Sequence, residues 1–216
     1  MNLKIVFDLD GTLITCENKQ KYALHSILNS FDYIDPDKIE LWWRLKRNGL
    51  NTEKALFEVG ISKAKMISDL WISAIENFVW CSLDRPFKDS LPTLESLKVN
   101  YEVSVIILTA RKCHLQVSQE INSYGFNEFI DDLIVVDPKE VIQEKANSLK
   151  RIQPLIYIGD SELDHIASIN SKTRFTALSR GQRSLEFLKK MGVLHIENNL
   201  KFLINDEFIS QLKKDQ

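Results

Sequence analysis

Leu3-Lys4-Ile5-Val6-Phe7-Asp8-Leu9-Asp10-Gly11-Thr12-Leu13 decides the reading of this chain. A short apolar strand delivers two carboxylates, one residue apart, onto a glycine turn. Strand side chains alternate, so Asp8 and Asp10 are expected to point the same way, with Leu9 opposite. Two further apolar runs end in polar chemistry. Val103 to Leu108 leads into Thr109-Ala110-Arg111, and Pro154 to Ile158 leads into Gly159-Asp160-Ser161-Glu162-Leu163-Asp164. Ligand sites in open α/β sheets form outside the carboxyl ends of the strands. Three strands with functional groups at that end imply one site assembled from three distant segments.

Outward from these runs, the pattern alternates. After the first strand (3–8), the next strand-like run arrives only at 103, and the stretch between reads as helical. Asp35-Pro36 sets an N-cap with proline at the first helical position. Thr52 is expected to cap a second helix, and Ile67, Leu70, Trp71, Ala74, Ile75 and Phe78 fall at helical spacing over 63–79. Residues 15–83 are therefore expected to form a small helical insert, with the core made of 1–14 and 84–216. Helices over 92–99, 112–124, 139–152 and 162–170 alternate with strands near 103–108, 133–136, 155–159, 174–178 and 193–196. A last amphipathic helix is expected over 200–213. Uniformly apolar strands suit a parallel sheet covered on both faces, so the fold class is α/β: doubly wound and mostly parallel, with the insert after the first strand.

Composition narrows the function. The 216 residues carry a formal net charge of −2, with 44% hydrophobic and 27% charged residues, as in ordinary soluble globular proteins. That balance argues against a nucleic-acid or membrane-surface partner. Three widely spaced cysteines, Cys16, Cys81 and Cys113, read as reduced thiols of a cytoplasmic protein. Neither a signal-peptide pattern nor an apolar run of membrane-spanning length is expected.

Asp8, Asp10, Asp160 and Asp164 make a cluster of hard oxygen donors. Like charges about 4 Å apart repel by ~4 kcal/mol at an effective dielectric of about 20. A divalent cation removes that cost, and carboxylates with waters and a substrate phosphate suit Mg²⁺. A positive side chain is also expected nearby. In the helix over 139–152, Val141, Lys145, Leu149 and Ile152 share one stripe, whereas Lys139, Gln143, Asn147 and Lys150 share a polar face. Lys145 alone of the three lysines interrupts the buried stripe and needs an anionic partner.

Asp8-Leu9-Asp10-Gly11-Thr12-Leu13, Thr109 at a strand end and Gly159-Asp160-Ser161-Glu162-Leu163-Asp164 together resemble the haloacid dehalogenase-like superfamily. They match its first, second and fourth motifs in order and spacing, across roughly 1–14 and 86–180. The resemblance implies a phosphohydrolase with a helical C1-type cap. Asp8 would be the nucleophile that becomes an aspartyl phosphate, and Asp10 the general acid and base. Thr109 and Lys145 would hold phosphoryl oxygens. Mg²⁺ would be held by Asp8, the Asp10 backbone carbonyl and Asp160, with Asp164, Gly11, Thr12 and Ser161 in support. The implied substrate is a small phosphorylated metabolite such as a sugar phosphate, phosphoglycolate or a nucleotide. An acid at position 10 argues against the dehalogenase and P-type ATPase branches. A phosphomutase, or a non-catalytic binding or regulatory protein, stays open.

Arg111 is a candidate for a substrate anion. The insert's Trp42, Trp43, Arg44, Lys46 and Arg47 read as one buried tryptophan beside a solvated basic face. Among them, Trp42, Arg44 and Arg47 are candidates for substrate contact.

Overall fold

A computed structural model describes residues 3–33 and 35–214. Six parallel strands, β1 (Lys4–Phe7), β2 (Ser104–Ala110), β3 (Asp132–Val136), β4 (Ile156–Gly159), β5 (Phe175–Leu178) and β6 (Ile196–Glu197), form one sheet in the order β3-β2-β1-β4-β5-β6. The chain leaves β1 to build β2 and β3 on one side, then returns to build β4 to β6 on the other. The order therefore reverses at β1, and in such sheets ligands bind beyond the carboxyl ends of the strands at the point of reversal.

Strand alternation sends Ile5, Phe7, Val105, Ile107, Ile156 and Ile158 into one apolar layer. It sends Val6, Ile106, Leu108 and Tyr157 into the other, where they meet Ala146 and Leu149. Both faces are covered, as the uniformly apolar strands require.

Between β1 and β2 lie α1 (Glu17–Asn29), α2 (Pro36–Arg47), α3 (Thr52–Glu58), α4 (Ala64–Ala74), α5 (Phe78–Cys81) and α6 (Ser90–Val99). Leu24, Trp42, Leu56 and Ile67 are fully buried in an apolar cluster of their own, drawn from α1 to α4 and the loops between them. The C-terminal end of α2 packs onto the segment after β5: Arg47 Nη2 donates to Ser179 O (2.6 Å) and Arg183 Nη1 to Lys46 O (2.7 Å). The core continues with α7 (His114–Ser123), α8 (Val141–Ile152), α9 (Glu162–Ser171), α10 (Leu185–Lys190) and α11 (Asp206–Lys214). Among the described residues, no helix is long and apolar enough to cross a membrane.

Asp35 caps α2 as expected, accepting from Asp37 N and Lys38 N. Three asparagines revise the other helix boundaries, because a short amide side chain competes for backbone N–H groups. Asn51, not Thr52, caps α3 by accepting from Lys54 N (2.8 Å). Asn77 ends the run expected over 63–79 and starts α5, and Leu70 (43%) and Phe78 (71%) are exposed rather than core. Asn205 accepts from Glu207 N and divides the expected terminal helix into a 3-10 turn, Lys201–Ile204, and α11. Helix α10 is additional to the helices that the sequence pattern predicts, and the last strand is only Ile196–Glu197. In the insert Trp42 and Trp43 are both buried, and so is Lys46, which corrects the solvated basic face.

Candidate active site

Strand register brings the three sequence segments together. Phe7 stands level with Ile107 on one side and Ile158 on the other, so Asp8, Thr109 and Asp160 arrive at one sheet edge. Asp8 stays tied to the sheet by its own N–H, donated to Ile158 O (2.8 Å). Beyond it the chain turns at Gly11 (φ 79°), where a Cβ would collide with the Asp160 carboxylate. Gly181, from the segment after β5, closes on the same carboxylate from the other side, and Gln182 N donates to Asp160 Oδ2. Glycine at these two places is a matter of space.

Lys145 reaches this edge from α8. Its Nζ lies 2.7 Å from Asp8 Oδ1, 2.6 Å from Asp164 Oδ1 and 3.0 Å from the Tyr157 hydroxyl. Lys139 and Lys150 are exposed, as the helical stripe indicated. Asp164 is held by its neighbours: Ser161 Oγ (2.6 Å) and the Tyr157 hydroxyl (2.5 Å) donate to it, within a capping box that starts α9.

Charge does not balance here. Asp8, Asp160 and Asp164 place carboxylate oxygens within 4.8 Å of one another, and Lys145 is the cation hydrogen-bonded among them. Burial raises the Asp8 carboxyl to about 7 despite Lys145, helped by the Asp164 charge. Burial, together with the Asp8 and Asp164 charges, pushes Asp160 well above the usual carboxylate range. Asp164 is buried too, yet the Lys145 charge and the hydrogen bonds from Lys145, Ser161 and Tyr157 hold it below that range. Asp160 Oδ1, Thr109 Oγ1 and Thr12 Oγ1 are buried without a hydrogen-bond partner among the described residues. Unpaired buried oxygens cost about 1–3 kcal/mol each. Hard oxygen donors with surplus negative charge fit a small divalent cation, and the free hydroxyls fit an oxyanion.

Regular strand pairing stops at Phe7, and Asp10 has partners of its own. Asp10 Oδ1 takes Lys19 Nζ (2.6 Å) and Arg111 Nη2 (2.7 Å), and Oδ2 takes Arg111 Nε (2.7 Å). Burial would raise this carboxyl, but Arg111 and Lys19 together pull it far below its ordinary range. Arg111, the candidate for a substrate anion, makes an internal pair in this structure. The side chain is 5% exposed and its guanidinium is given to Asp10 and Cys81. Behind it, Lys19 also pairs with buried Asp84 (2.7 Å). Of the insert residues, Trp42 is core, Arg44 is exposed and Arg47 holds the segment after β5.

Sequence reasoning missed Tyr157, Lys19, Asp84, Glu120 and Gly181. Tyr157 had a signal, a lone hydroxyl inside an aliphatic strand. Lys19 sits in the polar run Glu17-Asn18-Lys19-Gln20-Lys21, which looks like a solvated helix start.

Residues 5–178 match the family model of the haloacid dehalogenase-like hydrolases. No curated protein matches the sequence. Among solved structures, a protein of Clostridium acetobutylicum whose name proposes a phosphatase superposes with a TM-score of 0.69 at 19% identity, covering 99% of both chains. One of Lactobacillus delbrueckii subsp. bulgaricus, whose name proposes a phosphoglycolate phosphatase, gives 0.71 at 18% identity, covering 95% of this chain and 100% of that one. A hydrolase of Deinococcus radiodurans R1 with bound phosphate and sodium gives 0.64 at 15% identity over 90% of each. At such identities these structures share the fold. With a motif-bearing site at the sheet edge and a family match across most of its length, the chain belongs to the haloacid dehalogenase-like hydrolases.

Proposed function

We propose that the protein is a Mg²⁺-dependent phosphatase that hydrolyses a small phosphomonoester through an aspartyl phosphate on Asp8. The convergence of Asp8, Lys145, the unpaired Thr109 hydroxyl and the unpaired Asp160 oxygen on one sheet edge carries this reading. Asp8 attacks phosphorus while the bond to the leaving oxygen breaks, and Asp10 gives that oxygen a proton. Water then attacks the acyl phosphate, returns a proton to Asp10, and releases inorganic phosphate and free Asp8. Lys145 and Thr109 bind the phosphoryl oxygens as charge shifts among them. Asp8, the Asp10 carbonyl and Asp160 would hold Mg²⁺, with Asp164 fixing Lys145. Bound there, the ion would neutralise the surplus carboxylate charge and the approaching phosphate.

The insert, 15–83, serves as a C1-type cap that favours small soluble substrates such as a sugar phosphate, phosphoglycolate or a nucleotide. Three free cysteines fit a cytoplasmic setting.

Asp8→Asn tests the reading. The amide is nearly isosteric but cannot attack phosphorus, so turnover of 4-nitrophenyl phosphate with Mg²⁺ should vanish while the melting temperature holds. EDTA should silence the wild type. Activity of the variant within tenfold of wild type would remove Asp8 from the reaction.

A further inference from the structure

Asp10 as it stands is badly placed for acid–base work. Both carboxylate oxygens are filled by cationic donors, three contacts of 2.6–2.7 Å in all. A carboxyl that protonates a leaving group needs one oxygen free to face it. Lys19 occupies only Oδ1, so Arg111 alone closes Oδ2.

Next to that guanidinium stands a second acceptor. Glu120, on α7, has a side chain 8% exposed, and its Oε2 lies 3.7 Å from Arg111 Nη2, the nitrogen that also serves Asp10. The Tyr124 hydroxyl beside Glu120 donates to Asp84 O (2.9 Å), so Arg111 is the one cation close enough to pair with the Glu120 carboxyl among the described residues, and burial raises that carboxyl. A buried carboxylate left in this state gains by taking a guanidinium. Cys81, which accepts from Arg111 Nη1 (3.2 Å), and Glu120 both line a cavity of about 210 Å³ with Tyr124 and Arg85. Packing therefore leaves room beside both side chains.

We infer that Arg111 is a two-seat positioning residue, which closes Asp10 in the resting enzyme and moves onto Glu120 to free Asp10 Oδ2 when substrate binds. This rests on the phosphatase reading but goes beyond it. Glu120 touches neither substrate nor Asp10, and acts only by receiving the guanidinium. Nη2 already stands within an ångström of hydrogen-bond distance to Glu120, and because the guanidinium is a rigid plane, drawing Nη2 there takes Nε off Oδ2 with it.

The test compares Glu120→Gln, Glu120→Asp and wild type on phenyl phosphate and 4-nitrophenyl phosphate, reading kcat/KM, which covers the steps through loss of the leaving group. Phenol is the poorer leaving group and depends more on the proton from Asp10. Glu120→Gln should lose at least about tenfold on phenyl phosphate, part of what a general acid contributes, with little loss on the nitrophenyl ester. Glu120→Asp should recover most of it. An equal loss on both esters, or none, overturns the proposal.

A second measurement does not depend on the variants folding. In a crystal structure of wild type with Mg²⁺ and orthovanadate, Arg111 should be hydrogen-bonded to Glu120. If it is still bidentate on Asp10, the proposal is wrong whatever the kinetics. A wild type inactive on both esters fells the phosphatase reading itself, and the proposal with it; an active wild type with an ordinary Glu120→Gln fells the seat exchange alone.

Discussion

Lys46 is the most exposed weakness in the insert's electrostatics, and Lys46→Met measures it. The residue is 7% exposed, its Nζ donates to Gln20 Oε1 (2.8 Å), and it lies 4.0 Å from the centre of the Trp71 ring and 4.8 Å from that of Trp42. Among the described residues no carboxylate pairs with it. Burial, with the Arg183 charge in support, lowers its pKa from 10.5 to about 7. Between those values the unfolded chain binds a proton that the folded chain does not. Stability must therefore rise with pH across that window, by about 1.4 kcal/mol per pH unit.

Methionine keeps most of the volume and cannot titrate. The stability gap between Lys46→Met and wild type should thus shift in favour of wild type by roughly 2 kcal/mol from pH 7 to pH 9, since the slope is only half developed at pH 7. Urea unfolding followed by far-UV circular dichroism at pH 7, 8 and 9 reads this directly. Cys16 and Cys81 titrate in both proteins, so their contributions largely cancel. A gap constant within about 0.5 kcal/mol, the scatter of surface substitutions, would refute the claim that Lys46 is buried at a cost.

Lys145→Ala should lower kcat/KM by about 10–200-fold on every substrate, the worth of a charged hydrogen bond to the shared phosphoryl group. Lys139→Ala and Lys150→Ala should be nearly silent, since both side chains are exposed. A silent Lys145→Ala beside a crippling Lys150→Ala would break that assignment. Gly181→Ala should weaken Mg²⁺ binding by about 10–100-fold in isothermal titration, because its methyl group would collide with Asp160 Oδ2 and Gly11 O. An unchanged affinity would show that the segment after β5 does not shape the carboxylate.

The sequence by itself determined the sheet and the identity of the residues at its edge. Apolar runs buried on both faces admit few arrangements, and such runs ending in Asp8, Thr109 and Asp160 are local patterns that a linear chain displays. The Lys145 stripe was legible for the same reason, since helical period alone separates it from Lys139 and Lys150. Helix ends were less legible, because Asn51, Asn77 and Asn205 act through single side-chain hydrogen bonds that periodicity does not register.

Only the tertiary structure decided the surroundings of Asp10. Lys19, Asp84, Arg111 and Glu120 are separated by up to a hundred residues; in their own segments Lys19, Asp84 and Glu120 look like ordinary solvated charges, and Arg111 like a contact for a substrate anion. They become a buried network because the start of α1, the return of the insert and the start of α7 meet behind one carboxylate. Long side chains of opposite charge carry no period and no fixed spacing. Which of them pair is set by the packing of elements far apart in sequence, and that packing is what makes their burial affordable.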